Sequence, residues 1–369
     1  MAAKYELKKR KNYNMAWNLI VWIILAFVCS FLFTLAIKRI ALRLGVVDSP
    51  DNVRKIHKEP VPLLGGTAIF ITMAIFIIGF LLFSESLTGG EITKTHYLGF
   101  LLGGIALVAG GYFDDRYNLK PQFSILFPIT ASLVIIFFGI EVDKLTNPFG
   151  GIVYLKSWQS DILVFIWLMI VMYTTKFLDG LDGLSGGVSG IGAFMIMLLS
   201  STAAYFQPDV ALLSALSIGA IAGFLVLNFH PAKIFLGEGG STFVGFLLGS
   251  LAIISGGKLA IALVVLALPL FDTAWVILRR MFVEKRLPVI GDRKHLHHRL
   301  LDIGFLQKQI VLSYYFVAAS LGLLTLFLQS RQKLVLFGAS ILLLVIAALF
   351  IVFVGAQHDE SKQKGKPKA

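Results

Sequence analysis

Apolar residues in this chain come in long runs separated by short polar loops. Runs at 17–37, 64–84, 97–112, 123–140, 162–177, 185–205, 210–228, 242–255, 259–280, 310–328 and 334–354 approach the length of about 20 helical residues that crosses a bilayer. Lipid offers no partner to an unpaired peptide group, so each run predicts a transmembrane helix. The expected fold is all-α and polytopic, with about eleven transmembrane helices. They form one transmembrane domain over 17–354, flanked by a basic N-terminal tail over 1–16 and a basic cytoplasmic tail over 355–369. One interruption reads differently. Asn147-Pro148-Phe149-Gly150-Gly151, followed by Ile152-Val153-Tyr154-Leu155, sets a turn signal beside a β-branched run and predicts a small extracytoplasmic β-hairpin near 147–156.

Composition supports the membrane reading. Hydrophobic residues make up 57% of the 369 and charged residues 15%, with a mean hydropathy of +0.83. These values exclude a disordered chain and an ordinary soluble domain. The single cysteine, Cys29, excludes an intramolecular disulfide framework. The first run follows basic residues as a signal peptide would. It is too long for one, however, and continues into Lys38-Arg39 with no small-residue cleavage site, so it reads as a retained anchor. The net charge of +12 raises nucleic-acid binding, but no such motif is present. The basic residues instead orient the helices. With the loop holding Lys38, Arg39, Arg43, Arg54, Lys55 and Lys58 inside, about two in three of the lysines and arginines fall on the cytoplasmic side, against the trend of the N-terminal tail. The glycine pairs Gly99–Gly103, Gly219–Gly223 and Gly245–Gly249 let helices approach closely, within the chain or in a homodimer.

Carboxylates beside or within membrane helices are costly and usually face a polar cavity. Asp114, Asp115, Asp179, Asp182, Glu238, Asp272 and Asp292 all fall at or towards the cytoplasmic face. Singly, each suits a solvated helix end. Together they bring acids from five separate segments to one face, interleaved with Arg116, Lys120, Lys176, Lys233, Arg293 and Lys294. Hard oxygen donors beside Lys and Arg suit a site for Mg²⁺ with phosphate or diphosphate, because Mg²⁺ takes few carboxylates and shares its shell with phosphate oxygens. In Phe235-Leu236-Gly237-Glu238-Gly239-Gly240-Ser241 the acid sits in a glycine-rich turn that opens a helix, where free N–H groups favour an anion. The run Asp292-Arg293-Lys294-His295-Leu296-His297-His298 has no cysteine to complete a zinc site and better suits a grip on diphosphate or sugar hydroxyls. His230, beside Pro231, reads as a helix-end residue.

The order and spacing of these motifs resemble the polyprenyl-phosphate N-acetylhexosamine-1-phosphate transferases. Asp114-Asp115-Arg116-Tyr117-Asn118-Leu119-Lys120-Pro121, Asp179-Gly180-Leu181-Asp182-Gly183-Leu184, the Phe235–Ser241 turn, the His-Leu-His-His loop and Pro60-Val61-Pro62-Leu63-Leu64-Gly65-Gly66 carry the likeness, from about Val47 to Gly304. Within that family, the His295–His298 pattern and Phe271-Asp272-Thr273 look like the bacterial undecaprenyl-phosphate N-acetylglucosamine-1-phosphate transferases. The resemblance implies transfer of a sugar-1-phosphate from UDP-N-acetylglucosamine, or a related UDP-N-acetylhexosamine, to undecaprenyl phosphate with release of UMP. This would be the first membrane step of a cell-envelope glycan, at the cytoplasmic face of a bacterial plasma (inner) membrane. It implies Mg²⁺ as cofactor, with Mn²⁺ as the alternative ion.

Residue by residue, the resemblance makes Asp114 and Asp115 the acidic pair that handles the lipid phosphate. Glu238, with Asp115, would hold the metal. Phe235 would stack on uracil, with Asp182 near the nucleoside and Asp179 beside the substrate. Lys58 would bind substrate, while Arg293, His295, His297 and His298 would contact diphosphate and sugar. Three positions depart from the pattern: Glu238 stands where Asp is usual, Lys176 where Asn is usual, and Ser124 where a phosphate-binding Lys is usual. Lys176 is expected to supply the charge missing at Ser124. The competing reading is a transporter or flippase of lipid-linked sugars, against which stand the clustering of acids at one face and the lack of paired broken helices.

Overall fold

A computed structural model of the chain describes residues 2–50, 59–90, 92–147, 149–256, 259–282, 285, 295–343 and 345–346, with backbone alone over 2–17. The chain runs α1 (Ala2–Leu44), a two-residue ladder of β1 (Val47–Asp48) on β2 (Val61–Pro62), α2 (Gly65–Phe83) and α3 (Lys94–Tyr117). Next come α4 (Pro121–Ser124), α5 (Leu126–Phe137), β3 (Lys144–Thr146), β4 (Ile152–Tyr154), α6 (Ser157–Leu178), α7 (Leu184–Ser200) and α8 (Pro208–Asn228). The described part closes with α9 (Glu238–Ile254), α10 (Leu259–Val265), α11 (Ala267–Phe282), α12 (Leu296–Asp302), α13 (Gln307–Phe327) and further helix over 330–343.

The all-α, multi-pass expectation holds. The expected eleven crossings are not reached by length and apolarity: among the described residues six helices qualify (Asn18–Leu44 of α1, α2, α3, α6, α8 and α13), or seven if α10 and α11, bent by 73°, form one broken span. The other runs explain the difference. The segments Pro121–Phe137, α7 and α9 are apolar but no longer than 17 residues, about 25 Å of helix at 1.5 Å per residue, against a hydrocarbon core of about 30 Å. The run at 334–354 is described only over 334–343 and 345–346, and the tail over 355–369 lies outside the described residues. The hairpin is present: β3 and β4 pair antiparallel with Lys144 opposite Tyr154 and Thr146 opposite Ile152.

The centre of the bundle is α9, buried from Gly239 to Ile253. Around it pack α6, α3, α7 and α2, while α1 lies along α8 on the outside. The outward face of α1 exposes Ile20, Val21, Ile24, Leu25, Val28 and Leu32, as a lipid-facing surface requires. The glycine spacings serve packing within the chain. A side chain at Gly219 would meet the Ile23 carbonyl of α1 at 2.3 Å, and one at Gly223 the Phe27 carbonyl at 2.3 Å. At Gly245 it would meet Thr175 of α6 at 2.2 Å. Two closer approaches fix the start of α9: Gly239 is pressed against Gly111 of α3 and Gly240 against Gly66 of α2, backbone to backbone. The same corner is sewn by Gly65 N–H to Phe235 O at 2.9 Å, Gly66 N–H to Leu236 O at 3.0 Å and Phe235 N–H to Pro62 O at 2.9 Å. The Pro60–Gly66 and Phe235–Ser241 motifs thus form one platform.

Candidate active site

At this end of the bundle a cavity of about 1110 Å³ opens between the ends of α1, α3, α6 and α8 and the start of α9. It is lined by Asp114, Asp115, Lys176, Asp179, Asp182, Phe235, Glu238 and His298, together with Lys38, Lys233 and His230.

Each acid is held by a local reason. Asp114 and Asp115 fall in the last turn of α3, which stops at Asn118 in the left-handed conformation (φ 49°) before Pro121 opens α4. The turn brings the chain back onto Asp114, whose Oδ1 accepts Leu119 N–H at 3.1 Å and whose Oδ2 accepts the Ser124 hydroxyl. Asp115 accepts the Glu238 N–H, at 3.1 Å to Oδ1 and 3.3 Å to Oδ2, so its carboxylate closes the positive end of α9. Glycine is required just before: Gly237 has φ 78°, and a Cβ there would come within 2.4 Å of Asp115 Oδ2.

Lys176, in the last turn of α6, places Nζ 2.5 Å from Glu238 Oε2. Asp179 follows α6, and burial, with Glu238, Asp115 and Asp182 nearby, pushes its carboxyl well above the usual carboxylate range. Asp182 is tied to the opposite wall: Oδ2 lies 2.6 Å from His230 Nδ1 and accepts Ala232 N–H at 3.1 Å.

The histidine motif opens α12. His298 reaches the cavity, whereas His295 and His297 are buried behind the wall. His295 stacks on Phe177, with Nδ1 2.9 Å from Asp272 Oδ2, and Asp272 Oδ1 accepts Leu296 N–H at 2.7 Å. His297 packs on Gly180, where a Cβ would meet Nε2 at 2.5 Å. Burial, with His298 and His295 alongside, holds His297 well below the usual imidazole range. The second glycine of the Asp179–Gly183 motif is also enclosed, its carbonyl accepting the Tyr315 hydroxyl at 2.5 Å. Lys58 and Arg293 lie outside the described residues.

Three positions gain a place that the sequence does not signal. His230 binds Asp182. Ser124 holds Asp114. Asp272, a lone acid within an apolar run, anchors the histidine helix. Replacing Asp272 with Ala leaves His295 and the Leu296 N–H without this partner in a buried setting. The expected loss is about 2 kcal/mol of stability, read as a lowered melting temperature of the purified protein, with Asp272→Asn falling in between.

Residues that could hold a metal are Asp115 and Glu238, two hard-oxygen donors on one cavity wall. Among the described residues no group of three or more His, Cys, Asp or Glu is placed to hold an ion. The donor set fits Mg²⁺, which completes its shell with water and substrate phosphate.

Fold and site define a multi-pass membrane protein with a charged cavity at one end of the bundle. Residues 97–256 match the family described as glycosyl transferase family 4. The probable undecaprenyl-phosphate N-acetylglucosaminyl 1-phosphate transferase of Bacillus subtilis is 31% identical over 90% of this chain and 88% of its own length. The decaprenyl-phosphate N-acetylglucosaminephosphotransferase of Mycolicibacterium smegmatis is 30% identical over 88% and 86%. The undecaprenyl-phosphate alpha-N-acetylglucosaminyl 1-phosphate transferase of Escherichia coli is 27% identical over 80% of each. The chain belongs to glycosyl transferase family 4, as a membrane glycosyl-1-phosphate transferase.

Proposed function

We propose that this protein transfers N-acetylglucosamine-1-phosphate from UDP-N-acetylglucosamine to undecaprenyl phosphate, releasing UMP, at the cytoplasmic face of a bacterial plasma membrane. The observation that carries the reading is the meeting of Asp115, Glu238 and Lys176 at the start of α9, inside a cavity at the end of a membrane bundle. The relatives' names supply the polyprenyl phosphate and the sugar. A cavity of about 1110 Å³ has room for both a nucleotide sugar and a lipid headgroup.

In this reaction an oxygen of the lipid phosphate attacks the sugar-bearing phosphorus, and the bond from that phosphorus to the UMP oxygen breaks. Such a transfer depends on alignment and charge neutralisation more than on covalent help. Asp114 is fixed by Ser124 and Leu119 N–H, so its carboxylate can orient the incoming phosphate or take its last proton. Lys176 and Lys233 offset the anionic substrates, and Phe235 offers an aromatic face to the base. The α12 anchor keeps His298 at the rim, and the apolar bundle beneath excludes water. Mg²⁺ held by Asp115 and Glu238 would supply charge neutralisation at the diphosphate.

The test is UMP release by the full chain in nanodiscs. We expect release to require UDP-N-acetylglucosamine, undecaprenyl phosphate and Mg²⁺ together. No release with any UDP-N-acetylhexosamine would overturn the reading.

A further inference from the structure

The Lys176 ammonium has two partners. It lies 2.5 Å from Glu238 Oε2 and 5.8 Å from the centroid of the Tyr173 ring, and the lysine side chain is only 22% exposed. The helix dipoles favour the pair, because Lys176 sits at the negative end of α6 and Glu238 at the positive end of α9. Glu238 is also one of the two carboxylates fit to hold the metal. A divalent ion held by Glu238 would share this carboxylate with the Lys176 ammonium, a repulsive arrangement in a partly desolvated site.

We propose that Lys176 is a tethered cation that competes with the divalent metal for Glu238 and is itself a ligand for the donor's diphosphate. The proposal rests on the cavity being the metal and diphosphate site described above, and adds how that site is charged before substrate arrives. In the resting protein Glu238 is neutralised by the ammonium, so the metal binds weakly. An entering diphosphate offers the ammonium a second anionic partner and leaves Glu238 to the metal.

One substitution should then move two affinities in opposite directions. Mn²⁺ binding to the purified full chain without substrate, followed by electron paramagnetic resonance, should tighten about tenfold or more in Lys176→Asn and stay weak in Lys176→Arg. UDP binding in metal-free buffer, followed by calorimetry, should weaken in Lys176→Asn by about fivefold or more. Adding Glu238→Gln to Lys176→Asn should remove the gain in Mn²⁺ affinity. A merely damaged fold would weaken both ligands, and Lys176→Met gives a second neutral variant if the asparagine variant fails to purify as a single species. Mn²⁺ affinity that is unchanged or weaker in both neutral variants, or a gain that survives Glu238→Gln, overturns the proposal. Opposite shifts in a protein that releases no UMP would sink the transferase reading and leave the role of Lys176 standing.

Discussion

Asp115→Asn should yield a folded protein whose lipid-dependent UMP release falls about 10²–10³-fold. Asparagine keeps the size of the side chain, and its Oδ1 still accepts the Glu238 N–H that Asp115 accepts at 3.1 Å, so the start of α9 stays capped. What goes is the charge. The cavity loses a carboxylate beside Glu238, and with it one of the two donors proposed for a divalent ion. Melting temperature and steady-state UMP release, measured on the same preparation, separate the two effects. A variant keeping the parent activity would show that the carboxylate's charge has no part in the reaction. Asp115→Ala should add a stability loss of about 1 kcal/mol, because it removes the cap as well.

Gly66→Ala and Gly111→Ala should each destabilise the protein by more than about 4 kcal/mol. A Cβ at Gly66 would stand 2.0 Å from Gly240 Cα, and one at Gly111 2.1 Å from Gly239 Cα. These obstacles are backbone, so no rotamer change relieves them. Either α2 or α3 must retreat from α9, or the start of α9 must tilt and carry Asp115 and Glu238 apart. Gly79→Ala is the control: it lies in the same helix as Gly66 with nothing within 4 Å of the added carbon, and it should melt at or slightly above the parent temperature. Equal melting of all three variants would mean that the glycine seams are not close-packed. Size-exclusion profiles and thermal unfolding in a fixed detergent give the comparison.

The motifs that line the cavity were readable because each is a local signal: an acid at the end of an apolar run, or a glycine turn before a helix. The hairpin was readable for the same reason, from Asn147 to Tyr154. The pairs across helices were not. Lys176 and Glu238 are 62 positions apart, and their meeting depends on how α6 and α9 are rotated against each other, which no run of residues encodes alone. Asp272 and His230 were hidden likewise, the first because its partner His295 lies 23 positions away and the second because its partner Asp182 lies 48 positions away. The span count suffered from a different ambiguity. Hydropathy cannot tell a helix that is apolar because lipid surrounds it from one that is apolar because protein does. The helix α9 is of the second kind, short and enclosed by its neighbours.

The glycine seams beneath the cavity also bear on how such a protein can diversify. Where Gly66 meets Gly240 and Gly111 meets Gly239, main chain touches main chain and no layer of side chains intervenes. Substitution can therefore do little there except break the contact. Elsewhere the cavity is lined by side chains such as Lys38, Lys233 and Gln307. Drift in sequence can reshape the entrance, and so the choice of cargo, while the platform that carries the chemistry stays as it is.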